Sequence, residues 1–270
     1  MTTSEELDRI VEAVMEGARY RHIDAQFIRR ICAQEAQKRR SFRDIVKASR
    51  SKLHQVGGAY QEKGVLYEVW KDQLGAAGGG LHSASMAQFC RETMQYHAST
   101  RERLPILEIF FQETLKSIAP VYSILDVACG LNPLALPWMP VAANLIYHAC
   151  DIYQDMVDFL NDFFRTVEVN GQAEVCDLIG ETPLKPAQVA FVLKTLPCLE
   201  QVDKHIARKL LGNLQTEHLL VSFPARSLGG RSKGMVKNYG NHFEEIVRET
   251  DWKKIHRFEF DNELAFLVSR

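Results

Sequence analysis

Three chemically distinctive residues each follow a short apolar run that is typical of a buried strand. Gly130 follows the first run, Asp151 the second and Asp177 the third. Because the carboxyl ends of parallel strands meet at one edge of an open α/β sheet, these residues are expected to surround one crevice. An acid about twenty residues after a glycine turn is placed to accept hydrogen bonds from ribose hydroxyls. The three positions therefore suggest recognition of a nucleoside.

Each of the two acids also has a simpler interpretation. Asp151 precedes a helical pattern, so it could cap the N-terminus of that helix instead. Asp177 either accepts a hydrogen bond from an adenine amino group, with Leu178 packed on the ring, or is an acid in a surface loop. The spacing favours the ribose role for Asp151 and leaves both interpretations of Asp177 open.

The turn around Gly130 contains one glycine rather than the pattern Gly-x-Gly-x-x-Gly. A pyrophosphate needs several close approaches of the backbone, which glycine permits because it has no Cβ atom. The single glycine therefore favours a ligand without phosphate, such as S-adenosyl-L-methionine (SAM). A strand, a glycine and Pro133 at the start of a helix also occur without any ligand, and that alternative stays open.

The fourth predicted strand ends in the segment 191–197, Phe-Val-Leu-Lys-Thr-Leu-Pro. Methyltransferases that act on exocyclic amines often carry an Asn/Asp-Pro-Pro-aromatic motif at this place, and the motif is missing here. A ring nitrogen with a free lone pair, such as guanine N7, has no proton to remove and needs only in-line positioning of donor and acceptor. The sequence is consistent with that chemistry and predicts no catalytic acid or base.

A strongly basic window runs from Ile28 to His54 in a chain whose formal net charge is -1. The window holds nine basic residues and two acids, and so carries +7. Like charges repel unless a polyanion faces them, so we interpret the window as a nucleic-acid footprint, with a solvated helical face as the alternative. The basic residues are Arg29, Arg30, Lys38, Arg39, Arg40, Arg43, Lys47, Arg50 and Lys52.

A second basic segment, 224–237, follows the fifth predicted strand and is rich in glycine. No acid separates its cations. We interpret it as a mobile clamp on the phosphates beside an extruded base, and a plain surface loop is the alternative. The cations are Arg226, Arg231, Lys233 and Lys237.

Periodicity places these residues on a strand–helix alternation that starts near residue 122. Strands are predicted at 122–128, 144–150, 172–176, 187–193, 217–223, 255–260 and 264–268, and helices near 133–140, 154–168, 199–212 and 240–250. This alternation predicts a mostly parallel sheet covered on both faces, with an antiparallel pair at its edge. The predicted fold class is α/β, with the Rossmann-like core of class I SAM-dependent methyltransferases.

The residues before 122 have the apolar spacing typical of helices. Helices are predicted at 4–20 with Ser4 as N-cap, at 24–37 from Asp24, at 42–53 with Ser41 as N-cap, at 62–73, at 85–96 and at 101–118. The first three are expected to pack as a small bundle. We therefore predict a helical extension over residues 1–96 and a SAM-binding domain over residues 97–270.

Composition limits the class of protein. The 270 residues are 46% hydrophobic and 25% charged, which are ordinary globular values. The six cysteines are scattered without a Cys-x-x-Cys pair, which argues against a zinc site or a disulfide framework. We therefore expect no metal. No apolar run is long enough for a signal sequence or a membrane span, so we expect a soluble cytoplasmic protein.

Seven segments together resemble one known family, the aminoglycoside-resistance 16S rRNA methyltransferases that modify guanosine N7 in the decoding site. The segments are HASTRERL (97–104), LDVACGLNPLAL (125–136), CDIY (150–153), LKTLPCLE (193–200), VSFPARSLGGRSKGM (221–235), IRRI (28–31) and KASRSKLHQVGGAY (47–60). The resemblance spans nearly the whole chain. It implies SAM as cofactor, 16S rRNA within the 30S subunit as partner, and a monomer.

The resemblance also implies site roles. Arg103 would pair with the methionine carboxylate of SAM, and Asp151 would bind the ribose. Asp177 and Leu178 would bind the adenine. The full set implied to bind the cofactor is Tyr60, His97, Ala98, Ser99, Arg103, Ala128, Gly130, Asp151, Ile152, Asp177, Leu178, Leu193 and Lys194. The basic N-terminal helices would dock on rRNA, and the loop 224–237 would secure the target nucleotide.

Three other functions are compatible with this fold class. A ribosome-binding homologue with little activity, or a methyltransferase with another RNA target, would keep the fold while the substrate changed. A methyltransferase of small molecules is disfavoured, because a small substrate needs no extended cationic surface.

Overall fold

A seven-stranded sheet forms the centre of the molecule. The computed structural model describes residues 3–38, 41–58, 60, 66–183, 185–225 and 234–270. The strands are β1 (Val121–Val127), β2 (Val141–Asp151), β3 (Asn170–Val175), β4 (Ala187–Leu193), β5 (Thr216–Pro224), β6 (Lys254–Glu259) and β7 (Glu263–Ser269). Their order is β3-β2-β1-β4-β5-β7-β6. Strands β1 to β5 are parallel, and β7 pairs antiparallel with both β5 and β6.

This topology confirms the predicted mostly parallel sheet with an antiparallel pair at its edge. The order reverses at β1, which lies between β2 and β4. The crevice beyond the carboxyl ends of these strands is where open α/β sheets bind ligands. The first strand is buried along Ile124–Val127, as a strand covered on both faces must be.

Helices cover both faces of the sheet and form the N-terminal part. They are α1 (Ser4–Met15), α2 (Ala25–Ala36), α3 (Phe42–Leu53), α4 (Tyr67–Ala77), α5 (Ala84–Met94), α6 (Ala98–Arg103), α7 (Leu107–Leu115), α8 (Gln154–Thr166), α9 (Leu196–Leu199), α10 (Ile206–Asn213) and α11 (Met235–Arg248). A π-helical turn, His54–Gly58, extends α3, and 3₁₀ turns cover Leu104–Ile106 and Asn132–Trp138.

The caps of the first three helices follow local chemistry. Ser41 caps α3 as predicted, and Asp24, the predicted start of α2, caps that helix; each side chain accepts a hydrogen bond from the backbone N–H three residues further on. The prediction of Ser4 as the first N-cap is wrong. Thr3 takes that place, because its hydroxyl accepts from the Glu6 N–H while the Glu6 carboxylate accepts from the Thr3 N–H.

Other predicted helices differ from the structure, in two cases because of prolines. The single helix predicted at 101–118 is broken into α6, a 3₁₀ turn that contains Pro105, and α7. Proline has no N–H to donate and cannot continue an α-helix. For the same reason the segment after β1, with Pro133 and Pro137, is a 3₁₀ turn rather than an α-helix. The helix predicted at 199–212 begins later, at α10, and the short α9 precedes it. The helix predicted at 62–73 overlaps α4, and its residues 62–65 lie outside the described residues.

The N-terminal helices pack directly on the sheet domain. One core cluster contains Ile10 and Phe27 from the N-terminal helices together with Tyr153 and Phe159, which lie at the start of α8 and within it. Ile23 forms an isolated antiparallel bridge with Tyr153. The domain boundary predicted at residue 96 stays a prediction, but the packing shows that the extension helps to build the region around β2. Within the described ranges, no helix has both the length and the apolar composition needed to cross a membrane.

Candidate functional site

A cavity lies beyond the carboxyl ends of β1, β2 and β4. Nine of the thirteen residues predicted to bind a cofactor line it, namely Tyr60, His97, Ser99, Ala128, Asp151, Ile152, Leu178, Leu193 and Lys194. The other four, Ala98, Arg103, Gly130 and Asp177, are not among the lining residues. The sheet topology therefore brings together most of a set that is spread over more than a hundred positions of the sequence.

The turn after β1 is held by the acid at the end of β2. The Gly130 N–H donates to one carboxylate oxygen of Asp151 at 2.9 Å, and the Ile152 N–H donates to the other at 2.7 Å. Burial raises the pKa of Asp151 to about 6, although these backbone N–H groups oppose the shift. The N-cap of α8 is Tyr153, so the alternative interpretation of Asp151 as that cap is wrong.

His97 lies over the glycine turn and leaves no room for a side chain there. A Cβ atom on Gly130 would lie 2.6 Å from the imidazole of His97, and Gly130 has a φ of +53°. The imidazole Nδ1 is 2.9 Å from the Ser99 hydroxyl. Burial, with the cations Arg103 and Lys194 nearby, lowers the pKa of His97 to about 4. The imidazole is therefore neutral near pH 7.

A buried charge network lies behind the cavity wall. Arg103 is 1% exposed, and its guanidinium donates to Glu263, with the shortest bond at 2.6 Å, and to Asn132 at 2.8 Å. Asn132 donates in turn to Asp126 at 2.8 Å. These contacts give each guanidinium nitrogen an acceptor, and the predicted role of Arg103 toward a methionine carboxylate stays a prediction.

Lys194 connects this network to the cavity. Its backbone is left-handed, with a φ of +57°, and its ammonium lies 3.2 Å from Glu263 and 2.9 Å from Glu102. The side chain lines the cavity but is only 4% exposed. Because Glu102 and Glu263 hold its ammonium, Lys194 offers the cavity a fixed positive charge and a hydrocarbon surface.

The acid after β3 faces the N-terminal helices. Arg30 donates from Nε to Asp177 at 2.8 Å, and the other Asp177 oxygen accepts from the Ile179 N–H at 2.9 Å. Its neighbour Leu178 lines the cavity. Asp177 is thus a fixed, paired acid rather than a solvated loop residue, and its predicted adenine contact stays a prediction.

Known proteins identify the family of this fold and cavity. The chain matches, over residues 16–267, the family described as ribosomal RNA methyltransferase (FmrO). The chain belongs to this family. The predictions of the family, of the enzyme class and of the SAM-dependent methyltransferase fold are confirmed.

Individual relatives are similar to this chain over nearly its whole length. A 16S rRNA (guanine(1405)-N(7))-methyltransferase of Frankia casuarinae is 36% identical over 98% of this chain and 94% of the relative. A protein of the same name from Micromonospora echinospora is 33% identical over 100% of both chains. The crystal structure of the 16S rRNA methyltransferase RmtF in complex with S-adenosyl-L-homocysteine (SAH) matches with a TM-score of 0.85 and 31% identity, and covers 99% of both chains.

Several residues that line the cavity of this rRNA methyltransferase were missed by sequence reasoning. Phe27, Val56 and Gly57 come from the N-terminal helices, and Tyr153, Cys176, Thr195, Cys198, Leu199 and Val202 complete the lining. The segments 47–60 and 193–200, quoted above for their resemblance to the family, contain several of them. The resemblance of these segments could have identified the residues. Apolar residues at helical spacing are typical of a hydrophobic core, however, and only the fold shows that these face a cavity.

The predicted RNA-binding residues of this methyltransferase fall into three groups. Five have intramolecular partners: Arg29 with Asp8, Arg30 with Asp177, Lys38 with Glu35, Arg50 with the Ala13 carbonyl and Lys52 with the Gln201 carbonyl. Three are exposed and form no ion pair with another described residue: Arg43, Lys47 and Lys237. Five lie outside the described residues: Arg39, Arg40, Arg226, Arg231 and Lys233.

The chemistry available in the cavity is limited. Among the described residues, no group of three or more His, Cys, Asp and Glu side chains is arranged to hold a metal ion. All six cysteines are free thiols. Cys198 lies 3.0 Å from the Tyr60 hydroxyl, and burial raises the pKa of both groups. Both stay protonated near pH 7, and the lining offers recognition and positioning.

The close contact between Gly130 and His97 predicts a large effect of Gly130→Ala. The new Cβ would overlap the imidazole at a position with a left-handed φ, so we expect about 2 kcal/mol or more of lost stability and weakened SAH binding. Gly212→Ala is the matched control, since a Cβ there meets nothing within 4 Å and the residue lies in helix α10. Chemical denaturation and calorimetric titration with SAH measure both effects. Equal stability of the two variants would contradict the prediction.

Proposed function

We propose that this chain transfers a methyl group from SAM to N7 of a guanosine in the decoding site of 16S rRNA within the 30S subunit. The observation that carries the proposal is its whole-chain similarity to relatives named 16S rRNA (guanine(1405)-N(7))-methyltransferase. The cavity supports it, because its floor and walls come from the strand ends at which this fold binds nucleosides.

In the proposed complex, SAM would supply a methyl group on a positively charged sulfur. The lone pair of guanine N7 can bond to this methyl group as the bond to sulfur breaks, which leaves SAH. Asp151 would accept hydrogen bonds from the ribose hydroxyls, and Leu178 would pack on the adenine. Four residues would surround the methionine part: His97, Ser99, Ala128 and Gly130. No residue needs to remove a proton, since N7 carries none.

The floor of the cavity would position the reacting atoms. Leu193 ends β4, Lys194 and Thr195 follow it, and all three line the cavity. Glu102 and Glu263 hold the Lys194 ammonium in a fixed position. Tyr60 and His97 have nearly parallel rings with centroids 6.3 Å apart. Their rings would cover the methionine side and exclude water from the transfer.

The rRNA would dock on the basic surface of α3 and on the segment 224–237. Arg43 and Lys47 are four residues apart on α3, so both cations lie on one helical face, and both are exposed. Lys237, near the start of α11, is also exposed. None of these three cations forms an ion pair with another described residue, so their charges are available for phosphate. Arg39 and Arg40 precede α3 in the sequence and lie outside the described residues.

Charge reversal at Arg43 and Lys47 tests this surface. The variant Arg43→Glu/Lys47→Glu is expected to bind 30S subunits about tenfold or more weakly, with a shallower salt dependence, because two phosphate contacts are replaced by repulsion. Binding of SAH should stay unchanged. Lys204→Glu/Lys209→Glu is the matched control, since it changes the net charge equally on exposed residues outside the basic window. Retained affinity for 30S subunits in the first variant would contradict the assignment of this surface.

Transfer of a labelled methyl group from SAM to purified 30S subunits tests the function itself. Primer extension after borohydride and aniline treatment locates any 7-methylguanosine as a strand break. A break at one guanosine of the decoding site is the expected result. Bound SAM without transfer would contradict the proposal and favour a ribosome-binding homologue with little activity.

Resistance to aminoglycosides follows from the same chemistry. Methylation of N7 places a positive charge and a methyl group in the RNA helix to which cationic aminoglycosides bind, and like charges repel. We propose that the protein acts as a monomer in the cytoplasm and confers this resistance. Expression in a sensitive strain should raise the inhibitory concentration of gentamicin- and kanamycin-type drugs.

A further inference from the structure

Helix α2 contacts both loops that carry the proposed nucleoside-binding acids. At its start, the Asp24 N–H donates to the carbonyl of Ile152, next to Asp151, at 2.8 Å. One turn later Phe27 lines the cavity, and three residues further Arg30 reaches Asp177. The spacing of three places Phe27 and Arg30 on the same side of the helix. The helix is therefore a wall of the cavity at the nucleoside end.

The Arg30–Asp177 contact is a well-formed ion pair. Arg30 donates from Nε to Asp177 at 2.8 Å, and the carboxylate side chain is only 8% exposed. Charge-assisted bonds of this length orient both partners. The guanidinium also lies over Gly180, where a Cβ would come within 2.3 Å of the Arg30 Nη2. The absence of a side chain at residue 180 leaves the space that the guanidinium occupies.

The carboxylate keeps capacity for a ligand beside these partners. Asp177 accepts one bond from Arg30 and one from the Ile179 N–H, whereas an ionised carboxylate has about four acceptor sites. Arg30 uses its Nε for this contact, so Asp177 orients the guanidinium.

We propose that Arg30 is a positioning residue of the cofactor site, which holds the Asp177 carboxylate oriented toward the adenine amino group of SAM. Arg30 acts through Asp177. Its position in the basic window predicted an RNA contact, and under this proposal it makes none. This inference rests on the proposed use of SAM and on the proposed adenine contact of Asp177.

Calorimetric titration with two ligands tests the inference on the intact protein. The ligands are SAH and S-inosyl-L-homocysteine, in which a carbonyl oxygen replaces the adenine amino group. The wild type is expected to prefer SAH. Arg30→Gln should weaken SAH about tenfold, as expected for loss of a hydrogen bond to a charged group, and should affect the inosine analogue far less. The preference for SAH would then shrink, which a merely structural defect would not cause.

A second variant moves the guanidinium without removing it. Gly180→Ala places a methyl group where the Arg30 Nη2 lies, so it should reduce the preference for SAH in the same direction as Arg30→Gln. Arg208→Gln is the matched control. It breaks an ion pair of the same 2.8 Å length, to Glu249, but on the exposed surface, and should leave both affinities unchanged.

Three outcomes would overturn the inference. Arg30→Gln could bind SAH as the wild type does, it could weaken both ligands equally, or it could lose affinity for 30S subunits while SAH binding stays intact. The last result would return Arg30 to the RNA footprint. In each of these cases the proposed methyl transfer would stand. A wild-type protein that binds no SAH would instead remove the proposed function.

Discussion

Replacing Asp151 is expected to abolish binding of SAM and with it methyl transfer. The carboxylate is buried at the cavity and accepts N–H groups from Gly130 and Ile152, so its two oxygens are held in fixed positions. Two ribose hydroxyls bonded to a carboxylate contribute about 1.5–3 kcal/mol each, which corresponds to a loss of at least about a hundredfold in affinity. Calorimetric titration of Asp151→Ala and Asp151→Asn with SAH measures this.

The isosteric Asp151→Asn variant limits the change to hydrogen bonding, because it leaves no cavity. It keeps the volume of the side chain but has only one oxygen to accept hydrogen bonds. Asp158→Ala, on the exposed face of α8, is the matched control and should bind SAH as the wild type does. An affinity of Asp151→Asn within about threefold of the wild type would show that the ribose contact lies elsewhere, since the loss of charge-assisted bonds must exceed this.

The same carboxylate gives cofactor binding a pH dependence. Burial raises the pKa of Asp151 to about 6, so the group is ionised at pH 7.5 and takes up a proton as the pH falls through 6. The protonated form accepts fewer hydrogen bonds, and affinity for SAH should therefore be constant above about pH 7 and fall below about pH 6. His97 has a pKa lowered to about 4 and does not contribute in that range. A flat profile between pH 5 and 8 would contradict this assignment.

Replacing Arg103 is expected to destabilise the whole domain. The guanidinium is 1% exposed, and its removal would leave Glu263, which is fully buried, with Lys194 as its remaining cation. The Asn132 side chain would lose its donor as well. Breaking a buried ion pair by removing one partner costs about 3–5 kcal/mol. Denaturant unfolding of Arg103→Met should show a loss of that size.

Two further variants show whether the loss comes from the uncompensated charge. Arg165→Met removes an arginine that is 75% exposed and pairs with Asp162 within α8, and should cost less than about 0.5 kcal/mol. The double variant Arg103→Met/Glu263→Met removes both buried charges and should be more stable than Arg103→Met alone. A double variant less stable than the single one would mean that packing, rather than charge, accounts for the effect.

Most of the fold could be predicted because its signals are local. Apolar runs followed by a glycine or an acid marked the parallel strands, and Asp24 and Ser41 marked the starts of α2 and α3. The failures were also local. Pro105 interrupts a helical pattern of apolar spacing, and such spacing does not reveal that a missing N–H ends the helix.

The sequence by itself determined the strand-end residues, the single-glycine turn and the excess of positive charge, because each depends on residue type and short spacing. Only the tertiary structure decided which charges face each other. Arg30 and Asp177 are 147 residues apart in the chain, and Arg103 and Glu263 are 160 apart. A basic window predicts exposed cations, yet burial demands a partner for every charge, and the partner is chosen by the packing of distant elements. For this reason the sequence placed Arg30 and Asp177 in separate sites, and the fold joins them in one ion pair.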